Sequence, residues 1–377
     1  MRVPLTGAYA AAEAMRQINP DVVAAYPITP QSPIMELFAK FVSDGKVDTE
    51  LITVESEHSA MSACVGSAAA GARTMTASSS QGIALMFEIL PIAAGLRLPI
   101  LMEVATRALS SPLNIHCDHS DVMSVRDSGW IQIFCENAQE VYENTLLGLK
   151  LAEEIKLPAM IIQDGFITSH SVEGVNIFDD EIVKDFVGEY KPSYSLLDID
   201  NPITVGAFAL PDYYFEIKRK QEEGMRETKK KYLEVGDKLK KITNNSYPYF
   251  ESYKLKDAKY VIVAAGSTAG TIKEVVDKIR EKGEKVGLLK IKLFRPFPAK
   301  EIKEILEDKK IAVLDRSLSF GTFPPIYSEI KKLIPDVQSY VYGLGGRDVF
   351  SSDIKKVFDD LKNKEVSDEI RFLGLRE

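Results

Sequence analysis

Twice along this chain, short and wholly apolar runs alternate with helix-like segments, and that alternation leaves few folds open. In the first half AYAAAEAMRQI favours a helix, DVVAAY reads as a buried strand, IMELFAKFV as a helix and TELITV as a strand. SAMSACVGSAAAGA then predicts a helix of very small residues, RTMTAS a strand, and LPILMEVA and LPAMIIQD two further buried strands. A strand that is apolar at every position must be covered on both faces, so the pattern implies a parallel sheet between layers of helix. After NNSYPYF the alternation resumes: YVIVAAG, KVGLLKIKLF and KIAVLDR as strands, with TIKEVVDKIREKG and PAKEIKEILED as helices between them. No internal repeat is visible.

The two halves are separated by a change of composition near residue 212. From Glu216 to Lys241, 16 of 26 positions are charged. Opposite charges spaced for neighbouring turns predict a solvated connecting helix. A nucleic-acid arm is the lesser alternative, since 47 basic against 55 acidic residues leave the chain at −8. The expected organisation is an α/β unit over 1–215, a charged helical linker over 216–257 and a second α/β unit over 258–377. A chain of 377 residues suits about two domains.

Cys64, Cys117 and Cys135 lie 53 and 18 residues apart. They form neither a disulfide framework nor a self-contained zinc or iron–sulfur site, and a reducing compartment is expected. The most apolar stretch, residues 83–105, is interrupted by Glu88, Pro91, Arg97, Pro99 and Glu103. It falls short of the roughly 20 mostly apolar residues of a membrane span. MRVPLTGAYA has no long apolar core and is no secretory signal. A cytoplasmic protein, with neither membrane nor nucleic acid among its partners, is the expectation.

In open parallel sheets, ligands gather at the carboxyl ends of strands, and three segments there carry restrictive or reactive residues. YPITP (26–30) is stiffened by Pro27 and Pro30, which fix the direction of the Thr29 hydroxyl. Thr29 could equally be a plain helix N-cap. VESEHSA (54–60) sets Glu55, Glu57 and His58 at the mouth of the small-residue helix, as acids, bases or ligands, or simply as capping charge. That helix is thin enough for another backbone or a partner subunit to approach. VATRALSSP (104–112) places Arg107 at the end of an apolar strand. A charge there is costly unless it meets an anion, either a bound carboxylate or an acidic neighbour.

Other signals are weaker. HCDH brings His116, Cys117 and His119 within four residues, but no second cluster completes a metal site, and no metal is expected on this chain. AAGSTAG (264–270) lacks both the P-loop lysine and the dinucleotide spacing and reads as a tight turn. RPFP (295–298) and GLGGRD (343–348) are shaped loops that name no chemistry. Gly-Asp-Gly is absent; the nearest approach is Asp164–Gly165.

Taken together, YPITPQSPIMELFA, VESEHSAMSACVGSAAAGARTMTASSSQGIALM, RLPILMEVATRALSSPLNI, RDSGWIQIF, LFRPFP and GLGGRDV resemble the alpha subunit of the 2-oxoacid:ferredoxin oxidoreductases. The resemblance runs over nearly the whole chain. It is nearest to the multi-subunit pyruvate enzymes, although YSLLDIDNPITVGA and LDRSLSFG also resemble the 2-oxoisovalerate members. It implies a thiamine-diphosphate-enzyme pyrimidine-type domain, a doubly wound parallel sheet, followed by a transketolase C-terminal-like α/β domain. It further implies a thiamine diphosphate shared with a beta subunit that brings Gly-Asp-Gly, Mg2+ and an iron–sulfur cluster. A gamma subunit, a ferredoxin-like delta subunit, external ferredoxin and coenzyme A as co-substrate complete the expected set.

Carried over residue by residue, the resemblance makes Glu57 the partner of N1′ of the aminopyrimidine ring. It puts Thr29 and Arg107 on the oxoacid, and Pro27, Ser80, Gln81 and Gly82 on the cofactor. Two other classes stay open: a stand-alone nucleotide-dependent oxidoreductase, which lacks its fingerprint here, and a non-catalytic scaffold subunit of such a complex.

Overall fold

The computed structural model describes residues 1–376. Its larger sheet has seven strands, in spatial order Leu293–Arg295, Ile131–Phe134, Ala159–Asp164, Leu101–Thr106, Thr74–Ser78, Val22–Ala25 and Glu50–Thr53. The last six are mutually parallel. Alternate residues of each strand feed opposite cores, as a period of two requires. Val23, Leu101 and Ile161 meet Ala11, Phe38 and Leu147 on one face. Ala24, Met102 and Ile162 meet Ala60, Met61 and Leu90 on the other. The two-sided cover expected from wholly apolar strands is therefore present.

The second sheet has six strands, in order Ile370–Leu373, Val337–Tyr342, Lys310–Asp315, Tyr260–Ala265, Val286–Ile291 and Phe250–Tyr253. All are parallel except the last, an antiparallel edge. Val261, Val263 and Leu289 extend the core beneath the first sheet, so the two sheets share one apolar mass. A small antiparallel pair, Arg2–Thr6 with Val172–Asn176, lies apart from both.

One expected strand divides. KVGLLKIKLF does not run on as one piece: Val286–Ile291 stays in the second sheet, and Leu293–Arg295 crosses to pair antiparallel with Ile131–Phe134 in the first. The edge strand Ile131–Phe134 supplies the open backbone groups that capture it. Phe134 N–H donates to Lys292 O at 2.8 Å, and Leu293 and Phe294 are fully buried. The two α/β units are thereby stitched together by main chain.

The charged segment forms the helix Pro211–Thr243, with proline in its first turn and the left-handed Asn244 ending it. Arg219–Glu223 and Glu222–Arg226 pair one turn apart at 3.0 and 2.6 Å. It also buries a stripe of Gly224, Thr228, Tyr232, Val235 and Leu239, spaced by three and four residues. No helix of the described residues is long and apolar enough to cross a membrane.

Candidate functional site

The strands ending at Thr106, Ser78, Ala25 and Thr53 are consecutive neighbours in the larger sheet. The loops that leave those ends carry Arg107, Ser80–Gly82, Pro27–Thr29 and Glu57, so all seven residues named from the sequence stand along one edge.

Glu57 opens the helix Glu57–Ala69. Ser56 is its N-cap and accepts from Ser59 N–H at 3.3 Å. Of the neighbouring groups, Ser59 Oγ donates to the exposed Glu55, and His58 Nε2 lies 3.2 Å from Glu88. None of these bonds involves the Glu57 carboxyl, although Glu57 is only 7% exposed. Gly82 lies against it: a Cβ there would fall 2.7 Å from Glu57 Oε1 and 2.4 Å from Ser78 Oγ. Ser78 Oγ is itself buried with no hydrogen-bond partner among the described residues. A buried carboxyl and a buried hydroxyl thus both border Gly82 with little among the described residues to bond them.

The loop before Gly82 is tightly held. Ser80 adopts a left-handed φ of 45°, and its Oγ lies 2.6 Å from both Ala108 O and Gln81 Oε1. Ser79 Oγ donates to Ala105 O at 2.6 Å. Gln81 is half-buried, and Pro27 and Thr29 are exposed. Thr29 is no N-cap: Gln31 stands at the cap position of the helix that begins at Ser32.

Arg107 is 8% exposed. Its Nη1 donates to Thr29 O at 3.0 Å and its Nε to Asn114 O at 3.1 Å. Both partners are neutral carbonyls, so the acidic neighbour weighed from the sequence does not pair with this guanidinium. Burial pushes the guanidinium below its ordinary pKa, and only the charge of Asp121 opposes it. Among the described residues this buried guanidinium has no carboxylate partner and its Nη2 lies outside these two bonds, an arrangement that leaves room for an anion.

Sequence reasoning missed the residue that ties these loops together. Asp121 is fully buried; its Oδ2 accepts from Ser80 N–H and from Arg107 N–H, each at 2.9 Å, and its Oδ1 accepts from Val122 N–H at 2.8 Å. Burial raises its carboxyl to about 7 against the pull of those donors. In DHSDVMS nothing distinguishes Asp121 from Asp118, so only the tertiary structure reveals it.

The weaker motifs meet at the seam between the units. Asp164 ends a central strand and is completely buried. His119 Nε2 lies 2.8 Å from its Oδ1, while its Oδ2 accepts from Arg316 Nη1 at 3.0 Å and from Ser267 N–H and Oγ–H at 3.0 and 2.6 Å. Burial alone would push this carboxyl up; the charges of His119 and Arg316 and the Ser267 bonds hold it far below the ordinary range. The AAGSTAG turn therefore serves Asp164. The GLGGRD turn grips the loop after Arg107: Asn114 Nδ2 donates to Gly345 O at 3.0 Å and Gly346 N–H to Cys117 O at 2.7 Å.

Two groups of potential metal ligands come together, Cys117–His119–Asp164 and Glu136–Glu140–Glu251. Each already holds a cation of the chain, Arg316 in the first and the buried Lys290 in the second, where it lies 2.9 Å from Glu140.

With this geometry in hand, known proteins supply the family. The profile described as pyruvate flavodoxin/ferredoxin oxidoreductase, thiamine-diphosphate-binding, matches residues 13–237. The profile for pyruvate:ferredoxin oxidoreductase core domain II matches 258–354. The chain belongs to the pyruvate flavodoxin/ferredoxin oxidoreductase family.

Within that family it is 56% identical to the pyruvate synthase subunit PorA of Thermotoga maritima, over 100% of this chain and 98% of the relative. Identity to the same subunit of Methanocaldococcus jannaschii is 46%, over 99% and 98%. The ketoisovalerate oxidoreductase subunit VorA of Pyrococcus abyssi is 45% identical over 95% and 93%. A 2-oxoglutarate:ferredoxin oxidoreductase from Magnetococcus marinus superposes with a TM-score of 0.75 at 20% identity, over 96% of this chain and 65% of that one, which shows the shared fold. A split-gene transketolase follows at a TM-score of 0.54 and 11% identity, over 96% of this chain and 98% of that one. The family places the chain among oxidoreductase subunits with a thiamine-diphosphate-binding domain.

Proposed function

We propose that this chain is the alpha subunit of a multi-subunit 2-oxoacid:ferredoxin oxidoreductase whose oxoacid is pyruvate. In that reaction pyruvate and coenzyme A yield acetyl-CoA and CO2, and two electrons leave one at a time to ferredoxin. The observation that carries this reading is the pairing, on one sheet edge, of a buried carboxyl outside the bonds around it with a buried guanidinium outside any ion pair among the described residues. One suits a ring nitrogen of a cofactor and the other a substrate carboxylate. The pyruvate synthase relatives, at up to 56% identity over full length, favour pyruvate over the branched acid.

Glu57, Pro27, Ser80, Gln81 and Gly82 would hold the cofactor's pyrimidine end. Bound there, thiamine diphosphate supplies the carbon nucleophile and the electron sink for loss of CO2. Glu57 would hold a proton shared with a ring nitrogen of that group, and its low exposure would keep water from competing for that bond. Arg107 orients the oxoacid through its carboxylate, and Thr29 adds a hydroxyl beside it. The diphosphate, Mg2+ and iron–sulfur clusters belong in this reading to beta, gamma and delta subunits. Residues 1–215 form the pyrimidine-binding domain and 258–377 the transketolase-like one, joined by 216–257, and the complex works in the cytoplasm.

The ketoisovalerate relatives, at 45% identity, support a second reading with the same chemistry and a branched oxoacid. Isolating the complex anaerobically and assaying pyruvate, 2-oxoisovalerate and 2-oxoglutarate with coenzyme A and a low-potential dye separates the two. Turnover led by pyruvate is expected; turnover led by the branched acid replaces the substrate and keeps the mechanism. Arg107→Ala should raise the KM for the oxoacid about tenfold or more, as expected for a lost charged hydrogen bond. An unchanged KM removes Arg107 from the substrate site.

A further inference from the structure

We propose that Asp121 is a positioning residue that sets the cofactor-facing loop and the substrate-binding arginine from a single carboxylate, an inference that rests on the reading of the site given above. One oxygen, Oδ2, accepts from Ser80 N–H and Arg107 N–H, each at 2.9 Å, across sequence separations of 41 and 14 residues. The second oxygen is occupied by Val122 N–H at 2.8 Å, so the carboxylate cannot swing away from either loop without losing both anchors.

The two donors are not interchangeable packing contacts. Ser80 has a left-handed φ of 45°, an uncommon conformation for a non-glycine residue, and its N–H is held there by the Asp121 carboxyl. It sets the direction of Gln81 and of Gly82, which abuts Glu57. Arg107 N–H is the first backbone group beyond the strand Leu101–Thr106. Fixing it fixes the base from which the guanidinium reaches Thr29 O. A second path reinforces the first, because Ser80 Oγ lies 2.6 Å from Ala108 O, the carbonyl of the residue after Arg107. The cofactor-facing loop and the substrate arginine therefore move as one body, with Asp121 at its centre.

The fold supplies a matched control. Asp315 is also a fully buried carboxylate that accepts from two backbone N–H groups, Ile326 at 2.8 Å and Tyr327 at 2.9 Å, but both belong to one helix start in the second unit. Asp315→Asn should lower stability and leave substrate and cofactor affinity unchanged.

The experiment uses the assembled complex, freed of thiamine diphosphate, with two readouts: calorimetric affinity for added thiamine diphosphate, and KM for pyruvate after reconstitution. Asp121→Ala is expected to weaken both about tenfold, since hydrogen bonds to a charged group are lost on both loops. Asp121→Asn keeps one acceptor oxygen but turns its amide toward Val122 N–H, so a smaller loss of about threefold in both should remain. If the alanine variant does not assemble, the asparagine variant decides. Affinities matching those of Asp315→Asn, or a shift in one readout alone, overturn the proposal. Glu57→Gln and Arg107→Ala run beside it. If they behave as expected and Asp121 does not, only this inference falls; if they too are silent, the site reading falls with it.

Discussion

Two buried carboxyls stand at the carboxyl edge of the same sheet, and their surroundings are opposite. Asp164 has four donors around it: a histidine, an arginine, a hydroxyl and a backbone N–H, all from this chain. Glu57, at 7% exposure, stands outside the bonds that engage its neighbours and shares the surroundings of Gly82 with the buried Ser78 hydroxyl, which has no hydrogen-bond partner among the described residues. Each even has its own glycine: a Cβ on Gly266 would fall 2.7 Å from Asp164 Oδ1, and one on Gly82 equally close to Glu57 Oε1. Burying a polar group is tolerable only when something bonds it. A carboxyl saturated from within holds the molecule together, whereas one left unbonded marks where something else binds.

Variants at the two sites should part company. Asp164→Ala leaves Arg316 buried and unpaired, and should cost about 3–5 kcal/mol of stability, read by denaturant or thermal unfolding. Its stabilising effect also has a pH window. Because the folded pKa lies far below the ordinary 3.8, the contribution is complete above that value and is lost as pH falls through the folded pKa. Loss of stability on acidification that is no smaller in the variant would contradict this. Glu57→Gln should cut turnover more than about 100-fold while the complex assembles and unfolds within about 1 kcal/mol of the parent. Normal turnover in that variant would remove Glu57 from the chemistry.

Gly82→Ala sharpens the contrast. The added methyl would fall 2.4 Å from the buried Ser78 Oγ as well as 2.7 and 2.8 Å from Oε1 and Cγ of Glu57, so about tenfold of activity should be lost together with about 1–3 kcal/mol of stability. A stability loss without a change in rate would make Gly82 a packing residue only. The smallest effect is expected at Glu103, a third buried carboxyl, bonded by Thr145 Oγ at 2.7 Å. Burial raises it from 4.5 to about 8, so its folded form stays protonated and stability declines as pH rises through that interval. Glu103→Gln should flatten the decline by about 1 kcal/mol between about pH 6 and about pH 7, measured by unfolding at each pH.

Much of the candidate site's placement was legible because strand ends announce themselves. Arg107 directly follows its strand and Thr29, Glu57 and Gly82 each stand four residues beyond theirs, and a parallel sheet brings such positions to one edge by its own geometry. Asp121 escaped notice because its partners lie 41 and 14 residues away and are backbone groups, which carry no residue-type signal. Asp164 was visible only as half of a missing Gly-Asp-Gly, since its partners His119, Ser267 and Arg316 are scattered over both units.

The sequence by itself determined two parallel sheets, the helices between them and the strand ends at which the reactive residues sit. Hydrophobic period and residue size are local properties, and they suffice for that. Tertiary structure alone decided that Leu293–Arg295 leaves its own sheet for the other, because an unpaired strand edge is a feature of the folded surface. It also decided which buried acid is saturated and which has no hydrogen bond to its carboxyl among the described residues. Hydrogen-bond satisfaction depends on donors arriving from distant segments, and no local pattern records where they will arrive.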